Sequence, residues 1–147
     1  MKKILLLFPV CLMLISCKDK EEVTESPVIP VSTTAYTLME EDVVNKYGDI
    51  TNLERFEAFV GHVEDSTSDK VRIVSYTTEG DAIYKDLIYN DNIIMYTIDS
   101  TQDRYGEQMV AATTCQSIEK LETSELSVYK LMACEEELDD LLLIIEK

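Results

Sequence analysis

The chain has 147 residues, 29 of them acidic and 13 basic, for a formal net charge of −16. That charge disfavours nucleic acid, whose binding rests on Lys and Arg neutralising phosphates, and it repels anionic lipid headgroups. The length suits one compact domain rather than two, and a composition with four glycines, one histidine and no tryptophan narrows the available chemistry.

Residues 1–16 read as an export leader. Lys2 and Lys3 precede an almost unbroken apolar run over 4–15, and a charged tract begins at Lys18. The run is shorter than the roughly 20 apolar residues that a bilayer-spanning helix needs. Leu14-Ile15-Ser16-Cys17 resembles the lipobox of bacterial lipoproteins, in which the cysteine thiol is acylated and the peptide before it is removed. The expectation is therefore a signal peptide over 1–16, a lipidated Cys17, and a location on the outer face of the cytoplasmic membrane. Loss of Lys2 and Lys3 with the leader leaves 11 basic against 29 acidic residues, a net charge of −18. No polybasic second anchor is visible, so the lipid must hold the membrane. One acyl chain is marginal for that and two suffice.

Residues 17–36 contain Glu, Lys, Ser, Thr and two prolines, Pro27 and Pro30, without helical period. This composition predicts a flexible tether that holds the domain about 25 Å from its anchor.

The folded part is expected over 37–147. Thr37-Leu38-Met39-Glu40 fits a capping box, predicting a short helix that ends at Tyr47-Gly48. Thr51-Asn52-Leu53-Glu54 is a second capping signal. Leu53, Phe56, Phe59, Val60 and Val63 then recur at helical spacing, which predicts a helix over 52–65. The period then falls to two. Strands are predicted over 71–78, 82–89 and 93–99, separated by turns at Glu79-Gly80-Asp81 and Asn90-Asp91-Asn92. A polar loop covers 100–106, and a further hairpin pairs 111–122 with 126–134. Leu138, Leu141, Leu142 and Ile145 share a helical face behind the acidic trio Glu135, Glu136 and Glu137, which predicts a C-terminal helix. The fold class that results is α+β: a single antiparallel sheet of about five strands with N- and C-terminal helices packed on it.

Cys11 leaves with the leader and Cys17 takes the lipid, so Cys115 and Cys134 remain in the folded part. An even pair in an exported domain is a disulfide candidate. If the last hairpin turns around 123–125, facing residues have numbers that sum to about 249, and Cys115 and Cys134 satisfy this. The alternative is a pair of buried free thiols. No C-x-x-C spacing supports a redox or zinc motif.

Several segments together carry a resemblance. They are Asp42-Val43-Val44-Asn45 with Tyr47-Gly48, then Asn52-Leu53-Glu54-Arg55-Phe56, then Ile73-Val74-Ser75-Tyr76-Thr77-Thr78-Glu79-Gly80-Asp81. Asp99 with Asp103-Arg104-Tyr105-Gly106 follows, and then Cys115 and Cys134. On these the chain resembles a family of small lipoproteins of Gram-positive bacteria catalogued as domain of unknown function 4362, over roughly residues 40–134. Ala82 departs from it, standing where the family is expected to carry proline. The resemblance implies an anchored or secreted single domain and assigns no reaction.

The residues give little for catalysis. His62, the lone histidine, lies on the exposed flank of the predicted helix and has no evident nucleophile. No G-x-S-x-G turn or phosphate-cradling glycine loop exists. The remaining chemistry is carboxylate-based. Glu79 and Asp81 flank Gly80, and the next loop holds Asp99, Asp103 and Glu107. Asp99-x-Thr101-x-Asp103 departs from a calcium loop, with Arg104 at the sixth position and Val110 at the twelfth, so no metal and no cofactor is assigned. Arg104 is instead expected to pair with Glu79 or Asp81. Tyr76, Tyr84, Tyr89, Tyr96 and Tyr129 fall on predicted strands, bridging core and surface or offering a contact face. These features together predict a non-catalytic interaction module whose partner is an envelope protein or ligand. The alternatives are a small carboxylate- or metal-dependent hydrolase acting on the cell wall, and an acidic inhibitor or immunity-like protein.

Overall fold

The computed structural model describes residues 37–147; the leader, Cys17 and the tether lie outside the described residues. The elements in chain order are β1 (Val43–Lys46), β2 (Asp49–Thr51), α1 (Leu53–Glu64), β3 (Asp69–Tyr76), β4 (Ala82–Asn90), β5 (Ile93–Asp99), β6 (Val110–Cys115), β7 (Ser117–Glu122), β8 (Leu126–Met132) and β9 (Leu141–Glu146). Two sheets form. Six strands run in the order β2-β1-β3-β4-β5-β6, and three run β7-β8-β9. β1 and β3 are parallel, joined through β2 and α1; every other neighbouring pair is antiparallel. The class remains a helix packed with sheet, but with one short helix and two sheets in place of a single five-stranded sheet and two flanking helices.

Register sets the core. Val43 lies opposite Ile73, Val71 opposite Leu87, Leu87 opposite Tyr96, and Tyr89 and Cys115 each opposite Ile94. Opposed residues share a face, so these side chains line one side of the six-stranded sheet. α1 covers that side with Phe56 and Phe59, and the second sheet adds Tyr129, Leu131, Leu142 and Leu143 to the same buried cluster. Phe56 meets the Tyr129 ring edge to face, 5.0 Å between centroids. Each buried phenylalanine contributes about 2 kcal/mol of apolar transfer energy.

Three expectations are corrected. The 37–48 segment is not a helix. Asp42 accepts the Met39 amide at 2.8 Å and donates its own to Met39 O at 3.2 Å, which makes a turn that feeds the β-branched pair Val43-Val44 into the sheet. The second capping signal does precede a helix, yet Thr51 ends β2 and the cap position falls on Asn52, which makes no side-chain cap hydrogen bond. Its φ is 55°, and its side-chain amide donates to the carbonyls of Glu40 and Asp42, both at 2.8 Å. The C-terminal segment is a strand. The positions that share a helical face also form an unbroken apolar run, and a short run of that kind carries no decisive period. Burial of Leu142 and Leu143 in the common core decides for β9.

The 111–122 segment is two strands, turned at Gln116 from one sheet into the other. The hairpin register follows the expected sum, with Ser117 opposite Met132 and Glu122 opposite Ser127. Cys115 and Cys134 are joined by a disulfide, with Cα atoms 3.9 Å apart. The bridge locks the end of β6 to the segment after β8. A second tie crosses the sheets: buried Lys85 on β4 donates to Asp139 Oδ2 at 2.6 Å and to Leu141 O at 2.5 Å, and the Tyr96 hydroxyl donates to Asp139 O at 2.9 Å. Burial, reinforced by the carboxylates of Asp139 and Asp140, pushes the Tyr96 hydroxyl far above its ordinary pKa, so it stays protonated.

Candidate functional site

The parallel β1–β3 pairing brings three connections to one end of the six-stranded sheet: the β1–β2 turn, the β3–β4 turn and the β5–β6 loop. The first is the two-residue turn Tyr47-Gly48, both with positive φ (58° and 96°), the geometry that matches the twist of a hairpin. Asn45 Oδ1 accepts the Gly48 amide at 2.9 Å. In the second, Gly80 N–H donates to Thr77 O at 2.9 Å and Gly80 has φ 89°. A Cβ at Gly80 would lie 3.8 Å from the Tyr47 hydroxyl, so these two turns touch.

The long loop is ordered by its own side chains. Ser100 Oγ donates to Glu107 O at 2.6 Å and accepts the Met109 amide at 3.2 Å. Asp99 accepts from the amide and hydroxyl of Thr101. Asp103 accepts the amides of Tyr105 and Gly106 at 3.0 and 2.8 Å. Glycine at 106 leaves room for this, because a Cβ would stand 2.3 Å from the Asp103 carboxylate and displace it. The loop is then tied to the second turn. Arg104 donates to Asp81 from its main-chain amide (3.0 Å) and from Nε (2.9 Å), and its terminal NH2 group lies 2.8 Å from the same carboxylate. The Arg104 side-chain and main-chain hydrogen bonds hold the Asp81 carboxyl below its ordinary pKa, and the pairing raises Arg104 in turn.

Of the expected site residues, the structure therefore unites Gly80, Asp81, Asp99, Asp103 and Arg104 at one rim. The Arg104 partner is Asp81; Glu79 instead accepts from the Thr78 hydroxyl at 2.8 Å. Cys115 and Cys134 lie at the far end of β6. Asp81, Asp99 and Asp103 direct their oxygens at the loop's own donors. Among the described residues, no group of three Asp, Glu, His or Cys side chains stands ready to hold a metal ion.

Two residues of the rim escaped the sequence reading. The strand tyrosines Tyr84, Tyr89, Tyr96 and Tyr129 are buried, whereas the exposed ones sit on the turns, Tyr47 at 61 % and Tyr105 at 75 %. The available signal was the recurring Tyr-Gly pair, Tyr47-Gly48 and Tyr105-Gly106, since glycine marks a turn whose neighbouring side chain projects outward. Arg104, 68 % exposed, lies over the Tyr105 ring at 5.9 Å. His62 is also less isolated than its sequence suggested. Its Nδ1 lies 2.8 Å from Asp69 Oδ2, and Asp69 also takes two bonds from Arg55, at 3.0 and 2.7 Å, which pins α1 to β3. Burial works against ionisation of Asp69, but the donors Arg55, His62 and the Lys70 amide outweigh it and hold the carboxyl below its ordinary value.

Residues 40–130 match the family described as Domain of unknown function (DUF4362). The chain belongs to this family. The match spans all three rim connections and ends within β8, so β9 lies beyond it. No curated protein and no solved structure matches the sequence. In this DUF4362 chain, three of the segments that carried the resemblance meet at the rim: Tyr47-Gly48, the turn that ends in Gly80-Asp81, and Asp103-Arg104-Tyr105-Gly106.

Proposed function

We propose that this DUF4362 protein is a non-catalytic interaction module of a Gram-positive cell envelope, lipid-anchored through Cys17 on the outer face of the cytoplasmic membrane. Its contact surface is the rim of Tyr47, Arg104 and Tyr105. The observation that carries this reading is the clasp between Asp81 and Arg104, which fixes an exposed arginine and its stacked tyrosine on a loop held by its own hydrogen bonds. Tyr and Arg are the side chains that most often anchor protein contacts. A pre-ordered loop loses little entropy when it binds. Three of the carboxylates that a hydrolase could use, Asp81, Asp99 and Asp103, are engaged as loop supports. The anchor follows from the leader pattern and the position of Cys17 at its boundary.

The test has two parts. The mass of the mature protein is expected to begin at Cys17 and to include at least two acyl chains. A photo-crosslinking residue at position 105 is expected to capture the same envelope partner reproducibly in intact cells, with the yield reduced by Cys17→Ala. Capture of no reproducible partner overturns the interaction reading, and an unmodified Cys17 overturns the anchor.

A further inference from the structure

The β6–β7 segment is one bent strand that serves two sheets. Along β7 its edge is filled by β8, and this pairing continues past the bend. Gln116 N–H donates to Met132 O at 3.1 Å, and Glu135 N–H donates to Thr114 O at 2.9 Å, with the Cys115–Cys134 bond between them. The Glu136 N–H donates to Thr113 Oγ1 at 2.9 Å. There the chain turns away, towards Asp139 and β9. Among the described residues no further main-chain bond reaches this edge of β6.

In an antiparallel ladder, the N–H and C=O of one residue point to the same side. The outward carbonyl of Thr114 therefore places the N–H and C=O of Ala112 and Val110 on the vacant edge too. Val110 is 42 % exposed and Ala112 is exposed as well. The strand sequence Val-Ala-Ala-Thr-Thr-Cys has neither charge nor proline, the usual guards of an edge. The other edges differ. β2 has three residues, β7 carries Glu119, Lys120 and Glu122, and β9 carries the exposed Glu146.

We propose that the open half of this edge, residues 110–112, receives an extended segment of a partner protein as an added antiparallel strand, in line with β8, and that this segment begins with basic residues. Main-chain bonds to Val110 and Ala112 would supply affinity, as in other cases of strand addition. An incoming strand that continues the line of β8 has its N-terminal end beside Glu135, Glu136 and Glu137. All three are exposed and stand where β8's own pairing stops. That acidic end and the chain's net charge of −16 select a basic leading end. On the outer face the exposed Val110 and Ala112 lie beside the added strand's side chains, so alternate residues are apolar or β-branched. The inference rests on the reading of the domain as an interaction module, at an edge that adjoins the β5–β6 loop; peptide binding at 110–112 and partner capture from position 105 are separate readouts, so failure of the first does not decide the second.

The probe is a fluorescent peptide, Lys-Lys-Thr-Val-Thr-Val-Thr, titrated by anisotropy onto the full chain. Binding is expected, and Ala112→Pro is expected to weaken it at least tenfold, the equivalent of losing about one hydrogen bond. Proline at 112 removes only an outward N–H on an edge strand, a position where it is tolerated. Replacing Glu135, Glu136 and Glu137 together by Gln is expected to weaken binding and flatten its salt dependence. Amide exchange of Val110 and Ala112 in the wild-type chain is expected to slow on peptide addition, a readout that does not depend on the variants folding. No binding, equal binding by Ala112→Pro, or unprotected amides at 110 and 112 would each overturn the proposal. So would a homodimer of the free chain that Ala112→Pro dissociates, because the occupant would then be a second copy.

Discussion

Arg104 grips Asp81 from both its main chain and its side chain, at 3.0 and 2.9 Å. One residue thereby fixes the path of the β5–β6 loop and the aim of an exposed guanidinium. Asp81 is buried although it is a carboxylate, and it stays charged because these donors satisfy it.

The clasp gives the loop a pH dependence. The Asp81 pKa is lowered from 3.8 in the folded chain, so its contribution to stability is complete above that value and is lost as pH falls below it. Protection of the Arg104, Tyr105 and Gly106 amides, relative to their intrinsic exchange rates, is expected to fall below about pH 4 in the wild type. In Asp81→Asn, protection relative to the intrinsic rate is expected to be lower at neutral pH and nearly independent of acidification. A wild-type loop whose exchange follows only the intrinsic pH trend would argue against the clasp.

The two sheets share a buried cation, and its partners are unequal. Lys85 is 7 % exposed at the side chain, whereas Asp139 is 53 % exposed. Asp139→Ala strands a buried ammonium, while Lys85→Met fills similar volume and returns Asp139 to water. Urea unfolding is expected to give the larger loss for Asp139→Ala, about 2 kcal/mol, against under 1 kcal/mol for Lys85→Met.

Glycine substitutions are expected to separate the rim from the helix. A Cβ at Gly61 within α1 meets nothing within 4 Å, so Gly61→Ala is expected to stabilise the chain by about 0.5–1 kcal/mol. Gly106→Ala drives a methyl into the Asp103 carboxylate and breaks its hold on two amides. A loss of about 1 kcal/mol in thermal unfolding is expected.

Reduction tests the covalent tie between the sheets. The disulfide closes a loop with a sequence separation of 19, which restricts the unfolded chain by about 3 kcal/mol. Urea unfolding of the paired Cys115→Ala and Cys134→Ala variant is expected to show a loss of that size.

The legible parts of the sequence were those where one period dominated. The stripe of Phe56 and Phe59 gave α1, and the alternation around Ile73, Leu87 and Tyr96 gave three strands. The hairpin count even matched Cys115 to Cys134. The misread parts were those where tertiary burial outweighed local preference. Leu141, Leu142 and Ile145 satisfy a helical stripe and a buried strand alike, and the shared core chose the strand. Thr37–Glu40 carries a capping pattern, but Val43 and Val44 had a place beside Ile73 and Val74. The Arg104 ion pair was legible from charge, while its choice of Asp81 over Glu79 required the turn at Gly80. Tyr47 and Tyr105 lie in turns, where no period marks which side chains project outward, whereas Tyr84, Tyr89, Tyr96 and Tyr129 follow the strand alternation into the core.

The most direct test of the rim as the contact surface compares photo-crosslinkers at positions 47, 105 and 57 in intact cells, with Glu57 as an exposed helix position away from the rim. The account predicts one partner, captured from 47 and 105 and absent from 57. Equal capture from all three positions, or a partner found only from 57, would contradict it.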